Sequence, residues 1–391
     1  MGFLEKCLEK IAIWQKKYTV GLFVLIVLFT LFVGVGIKDI SLQTDVSKEM
    51  PQDLPVFQLN NKITDIFGGQ DTIILLIELD DSGDIKNTIK DIRDPYIIQS
   101  LIYLETVLNS ESEVESVNSA ARYFRSPFYT IEQVKAIIEA NPKSKAFFSE
   151  DYKSTLVFVK ADVGKGEEKI IKLAKLIQKD IDAVPIPTGI KVSITGNPPM
   201  RVVIMQLLSH DAAYTLFIAA IIILFLLIFM QKSITKGLLV FMPLMLGLIW
   251  TIGSMGWMKM PLSIATVGIG AMILGLGVEY GVFMVSRYKE EREKGMSQKD
   301  SLKTAVPGVG SAILGSGLTT IIGFIALTVS TMPMMQKLGL SLALGIIFCL
   351  IAAVFAAPVI ILMEEDFEYW HTHRKYRELS VKKQKHERMI R

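Results

Sequence analysis

Six stretches of the chain are free of Asp, Glu, Lys and Arg: 18–37, 212–231, 237–258, 260–278, 304–336 and 338–363. Each is about as long as the 20 or so apolar residues that a helix needs to cross roughly 30 Å of hydrocarbon. The pattern predicts transmembrane helices over 18–37, 212–231, 237–258, 261–286, 307–331 and 338–363, with a polar loop over 287–306. The first stretch is too long for a signal-peptide core of roughly 7–15 residues, and no small-x-small cleavage site follows Ile37, so it is expected to remain as an anchor. Before it, in residues 1–17, Phe3, Leu4, Cys7, Leu8, Ile11 and Trp14 recur at helical spacing with Glu and Lys between them. That pattern predicts an amphipathic helix lying on the membrane surface.

Between the first and second spans, residues 38–211 change period. "DTIILLIEL" (71–79), "EVESVNSA" (113–120), "STLVFVKADV" (154–163) and "IKVSITG" (190–196) read as strands, and 94–110, 130–142 and 166–184 as helices. Two strand–helix–strand units predict a compact α+β domain, or two small subdomains of the split βαβ kind. It holds no His/Cys cluster, glycine-rich phosphate loop or nucleophile elbow, so no enzyme is predicted and no cofactor or metal is expected.

Composition changes the picture little: 51% of the residues are hydrophobic, 21% are charged and the net charge is +3, which excludes nucleic-acid binding through bulk charge. The distribution of charge says more. Lys16 and Lys17 flank span 1, Lys232 and Lys236 lie between spans 2 and 3, six Lys or Arg fall from Arg287 to Lys303, and eight more follow Glu364. The opposite short loops carry only Lys259 and Lys337. The positive-inside rule then places both termini, with a tail over 364–391, in the cytoplasm, and residues 38–211 outside. Cys7 and Cys349 supply no disulfide to that outer domain. His371 and His373 form a His-x-His pair without a third ligand nearby, a weak metal signal.

The spans themselves are rich in small residues. Span 4 holds Gly268, Gly270, Gly275, Gly277 and Gly281; span 5 holds Gly308, Gly310, Gly315, Ser316, Gly317, Thr319, Thr320 and Gly323. Small residues let helices approach closely in lipid, and their concentration here predicts that spans 4 and 5 form the mechanistic centre, for packing or as a pathway. Inside this region lies Glu279. It precedes Arg287 by eight residues, which puts it about 12 Å inside that boundary at 1.5 Å per residue. An ionised acid there costs at least about 2.5–3.5 kcal/mol, so it is expected to face protein or a water-filled cavity. No span contains a Lys or Arg to neutralise it. Burial favours the protonated form of a carboxyl group, and an acid reached from both sides in turn is what a proton carrier requires. A structural hydrogen-bonding acid or a Na⁺ ligand are the alternatives.

"GLGVEYGVFMVSRYKEE" (275–291) resembles the fourth-span motif of the resistance-nodulation-division superfamily, in particular the hydrophobe/amphiphile exporter branch that includes the mycobacterial membrane protein large family. Residues 50–78 resemble the start of that family's outer domain, and "ITGNPPM" (194–200) its exit into span 2. The resemblance implies a six-helix bundle of this type with an α+β, porter-like extracytoplasmic domain of βαβ units inserted between spans 1 and 2. It also implies that Glu279 and Tyr280 relay protons, so that the coupling ion is H⁺. The implied function is proton-driven export of hydrophobic or amphiphilic molecules such as lipids. A sterol- or lipid-sensing protein, or a protein-export subunit resembling the SecD component, would share much of this layout. The family more often carries Asp where this chain has Glu, one methylene longer, and many members hold two such halves where these 391 residues hold one. A homodimer is therefore expected, bringing span 4 of two copies together around an axis along the membrane normal. The expected partners are membrane lipids and an apolar substrate.

Overall fold

The structure is a computed structural model that describes residues 3–67, 71–80, 89–126, 129–161 and 167–370. In chain order its elements begin with α1 (Phe3–Lys17), α2 (Thr19–Val35), α3 (Pro55–Phe67), β1 (Asp71–Leu79), α4 (Pro95–Asn109) and β2 (Val114–Asn118). There follow α5 (Ile131–Ala140), α6 (Pro142–Lys145), β3 (Ser154–Ala161), α7 (Glu167–Ala183) and β4 (Ile190–Gly196). The long helices are α8 (Asn197–Gln231), α9 (Ile234–Trp257), α10 (Ile269–Glu293), α11 (Gln298–Ala326) and α12 (Pro333–Ile351). After α12 one π turn, Ala352–Ala356, intervenes and helix continues to Trp370. The His371/His373 pair and most of the basic tail lie outside the described residues.

Two compact units divide the chain: residues up to Met50 together with those from Leu208 onward, and Pro51–Leu207. The sheet-bearing unit is thus shorter than 38–211. Residues 38–50 belong with the helices, where Gln43 donates its N–H to the Leu262 carbonyl at 2.7 Å and Lys337 pairs with the buried Glu49 at 2.8 Å.

Among the described residues, the sheet-bearing unit contains one four-stranded antiparallel sheet of order β2-β3-β1-β4, not two subdomains. Each strand–helix–strand unit leaves a gap between its own strands, and a strand of the other unit fills it: β1 pairs with both β3 and β4. β3 is buried at every second residue, as a half-covered strand should be. Ile73, Leu75, Val157 and Val159 meet α4 through Ile98, Leu101 and Leu104, and α7 through Ile170, Leu173 and Ile177. Local signals start the helices. Asp94 accepts the Tyr96 N–H at 2.9 Å with Pro95 at the first helical position, and Thr130 and Gln133 form a reciprocal capping box on α5.

Among the described residues, six helices are long and apolar enough to cross a membrane. The protein is a multi-pass membrane protein. In the most apolar windows of α9 and α12, 56% and 67% of residues are buried, against 6% in α8 and 17% in α11, so α9 and α12 form the centre and α8 and α11 the rim. At their polar ends α8, α10 and α11 run past the apolar stretches that predict them, because charged side chains continue a helix into water as readily as apolar ones do in lipid. At its other end the span expected over 261–286 becomes helical only at Ile269, and α11 ends at Ala326, short of 331. Most of 287–306 is helical: α10 continues to Glu293, Gly295 ends it at φ +83°, and Ser297 caps α11 by accepting the Asp300 N–H at 3.2 Å. α1 forms where expected but does not simply lie on lipid. It packs its Leu8 and Ala12 into the helical core, Leu8 lying over Gly310 of α11.

Candidate functional site

α10 has two faces. Gly277, Tyr280, Gly281, Met284 and Tyr288 are buried, whereas Met272, Gly275, Leu276, Glu279, Phe283 and Ser286 are exposed. The exposed set recurs every three or four residues and so forms one stripe, with Glu279 near its middle. Of the two surroundings expected for Glu279, protein or a water-filled cavity, enclosure by protein is not found within a single chain, where the residue is exposed. Adjacent residues on a helix point about 100° apart, so Glu279 faces outward while Tyr280, 1% exposed, faces inward. The Tyr280 side chain interacts with Thr320 of α11. That contact sets the depth at which the two helices meet, so Ser316 and Gly323, about one turn to either side of Thr320, bracket the level of Glu279 along α11.

The glycines separate into two kinds. A Cβ on Gly277 would lie 2.7 Å from the Cys349 sulfur, on Gly281 3.0 Å from the Val240 carbonyl oxygen, and on Gly317 2.5 Å from Leu350. These three make room for α12 and α9. By contrast, a Cβ on Gly275, Gly308, Gly315 or Gly323 would meet nothing within 4 Å. Ser316 and Thr319 share the exposed side of α11, and Thr320 is half-buried. The Thr319 and Thr320 hydroxyls donate to the Ser316 carbonyl at 2.7 and 3.1 Å, which satisfies them without a second helix. One chain therefore presents a strip of small residues and hydroxyls beside a mid-span carboxylate.

The Arg287 end of α10 and its neighbours are tied down by polar groups that the sequence pattern alone did not single out. At the Arg287 end, Tyr288 donates its hydroxyl to Glu365 at 3.1 Å, Arg292 pairs with Glu365 at 3.2 Å and Gln298 donates to Glu365 at 2.9 Å. Buried Glu291 receives Arg287 at 2.9 Å and Lys294 at 3.1 Å. Hydrogen bonds to Glu290 and Glu291 hold Lys294 above the ordinary lysine range. The i, i+4 pair Tyr288/Arg292 was a readable signal; its partner Glu365, on the helix beyond the π turn and 77 residues away from Tyr288, was not. Equally unforeseen is the π turn of the last span, where the Gln15 side-chain amide donates to the Val354 carbonyl at 2.8 Å. Cys349 also gains a role, since its sulfur sits against both Gly247 and Gly277.

The MMPL family model matches residues 91–386. The protein MJ1562 of Methanocaldococcus jannaschii is 34% identical over 369 residues, 93% of this chain and 95% of that protein. The siderophore exporter MmpL5 of Mycobacterium tuberculosis is 25% identical over 56% of this chain, and the apo-petrobactin exporter of Bacillus anthracis 25% identical over 50%. This chain spans about a quarter of the length of those two exporters, 23% and 28%. With the match running from the sheet-bearing unit through all but the first of the six long helices, the chain belongs to the MMPL family.

Proposed function

We propose that this protein exports hydrophobic or amphiphilic molecules, lipids among them, at the expense of the proton gradient, and that Glu279 is the group that takes up and releases the proton. One observation carries the reading: a carboxylate near mid-span is left exposed on the outer face of α10, beside glycines that nothing fills. Exposed to lipid as an anion it would cost at least about 2.5–3.5 kcal/mol. Either a proton or a partner has to relieve that cost, and a group whose comfort depends on both is suited to coupling. A second copy of the chain is the proposed partner. Two such faces, meeting about an axis along the membrane normal, would cover both Glu279 side chains and seat small residue against small residue. Carboxyl groups brought close together titrate as a pair. Tyr280 and Thr320, directly behind, would pass a change at Glu279 into the packing against α9 and α12.

In this scheme both termini are cytoplasmic, and the sheet-bearing unit, between the first and second spans, works outside as a porter-like domain that admits substrate. The family membership and the exporter names of two relatives support transport; the cargo class is the one that the resemblance to the hydrophobe/amphiphile exporters implies. The test compares wild type with Glu279→Gln in proteoliposomes under an imposed pH gradient, with co-purifying molecules identified by mass spectrometry. Wild type is expected to move them in a gradient-dependent way, and Glu279→Gln to assemble normally and move nothing. A Gln variant with full gradient-dependent transport removes Glu279 from the mechanism. Lipid bound tightly with no response to the gradient favours a sensor instead.

A further inference from the structure

The transport reading leaves two apolar cavities beside α1 unused. The first, of about 300 Å³, is bounded by Leu4, Cys7, Ile11, Leu314, Ile351 and Phe355. The second, of about 330 Å³, is bounded by Ile11, Trp14, Leu25, Phe29, Trp250 and Phe355. They meet at Ile11, Ile351 and Phe355, and each has the volume of a small-molecule site. Their origin is plain. Leu8 over Gly310 and the Gln15 amide on the π turn hold α1 to the bundle along one edge. The neighbouring edge, Cys7–Ile11–Trp14, stands clear of α12 and α2.

Charge identifies the occupant. Lys10 follows Cys7 by three residues and precedes Trp14 by four, so it lies beside both on the helix surface. Lys6 and Lys17 fall on the same side as Lys10, and all three are exposed. Among the described residues none of the three forms an ion pair; Lys17 lies over the Tyr18 ring at 5.0 Å. Trp14 and Tyr18, 60% and 45% exposed, mark the level at which headgroups meet hydrocarbon. An apolar double cavity bordered by unneutralised lysines at that level fits a molecule with two apolar tails and an anionic head. We propose that this is a resident site for one anionic phospholipid of the leaflet next to Lys16 and Lys17, its tails in the two cavities and its phosphate on Lys6, Lys10 and Lys17. So placed, the lipid locks α1 against the π turn of the last span, and it stands apart from Glu279 and the exposed face of α10 and α11.

The test uses the full chain in mild detergent, titrated with phosphatidylglycerol or phosphatidylcholine and read by native mass spectrometry. One phosphatidylglycerol per chain is expected to be retained, in preference to phosphatidylcholine by at least about tenfold, since each lysine near the surface contributes about 1 kcal/mol. Ile11→Trp, which fills the junction of the cavities, should abolish retention; Lys6→Gln with Lys10→Gln and Lys17→Gln should erase the preference. A second readout needs no substitution. Cys7 borders the first cavity and Cys349 is buried, so the rate of maleimide labelling reports Cys7 and should fall several-fold with phosphatidylglycerol but not with phosphatidylcholine. Equal retention of the two lipids, or unchanged Cys7 labelling, overturns the proposal. So does a non-phospholipid amphiphile held at the site that phosphatidylglycerol does not displace, which would mark it as a place for transported cargo.

Discussion

Two helix faces built from the same small residues behave in opposite ways. Where α2 meets α9, a Cβ on Gly256 would come within 1.7 Å of the Gly36 carbonyl oxygen and one on Gly253 within 2.2 Å of the Val33 oxygen, so backbone touches backbone. On the outer face of α10 and α11, Gly275, Gly308, Gly315 and Gly323 touch nothing. A glycine in a lipid-facing helix has no benefit of its own: it weakens the helix by up to about 1 kcal/mol relative to alanine. The first seam repays that cost inside one chain. The second repays it only if something docks there, and Glu279 on the same face points the same way.

Substitutions can break this contrast. The largest effect is expected at the closed seam. Gly256→Ala drives a methyl group into a backbone oxygen and should cost about 3 kcal/mol, at the upper end of overpacking, or prevent folding altogether; thermal unfolding in detergent measures it. If Gly256→Ala is as stable as wild type, the seam is not as close as described. At the open face the sign reverses. Gly315→Ala should leave the fold intact and stabilise it by up to about 1 kcal/mol, whereas Gly315→Leu should keep the fold but abolish cross-linking between copies and transport with it. A Gly315→Leu protein that still dimerises and transports would show that this face is merely lipid-exposed.

Smaller effects sharpen the comparison by testing what holds the two faces in place. Tyr288→Phe removes the hydroxyl that Glu365 accepts and should cost about 1 kcal/mol, seen as earlier unfolding with Glu279-dependent transport reduced but present. The smallest effect should come from the other unit, which shares neither face. Burial alone would raise the pKa of Asp91, but hydrogen bonds from Arg93, its charge and a further contact from Lys135 bring it down to about 2. Its contribution is therefore fully present above the ordinary carboxylate value near 3.8 and is lost as pH falls towards 2. Asp91→Asn should flatten the acid limb of unfolding between those values and leave cross-linking between copies unchanged. A shift in cross-linking would mean that the sheet-bearing unit also governs association.

Much of the architecture was written in the chain as pattern. Charge-free runs of about 20 residues are read by lipid one residue at a time, so the number and order of the long helices needed no tertiary information. The strands at 71–79 and 190–196 were equally plain, because β-branched runs between turn residues form the same local structure in most surroundings. Glu279 stood out for a related reason: a carboxylate amid twenty apolar residues is conspicuous wherever it points. Which way it points was decided only in three dimensions. Helical phase relative to neighbours put Tyr280 inside and Glu279 out, closed the α2–α9 seam and left the α11 glycines open, and no count of glycines in a span distinguishes those outcomes. The same holds for β3 entering between β1 and β2, for Glu365 gathering Tyr288, Arg292 and Gln298, and for Gln15 finding the π turn at Val354. These contacts join residues tens to hundreds of positions apart, and a side chain's partner across such a distance depends on where whole helices pack. The sequence by itself determined what each segment is; the tertiary structure alone decided which of its faces is used.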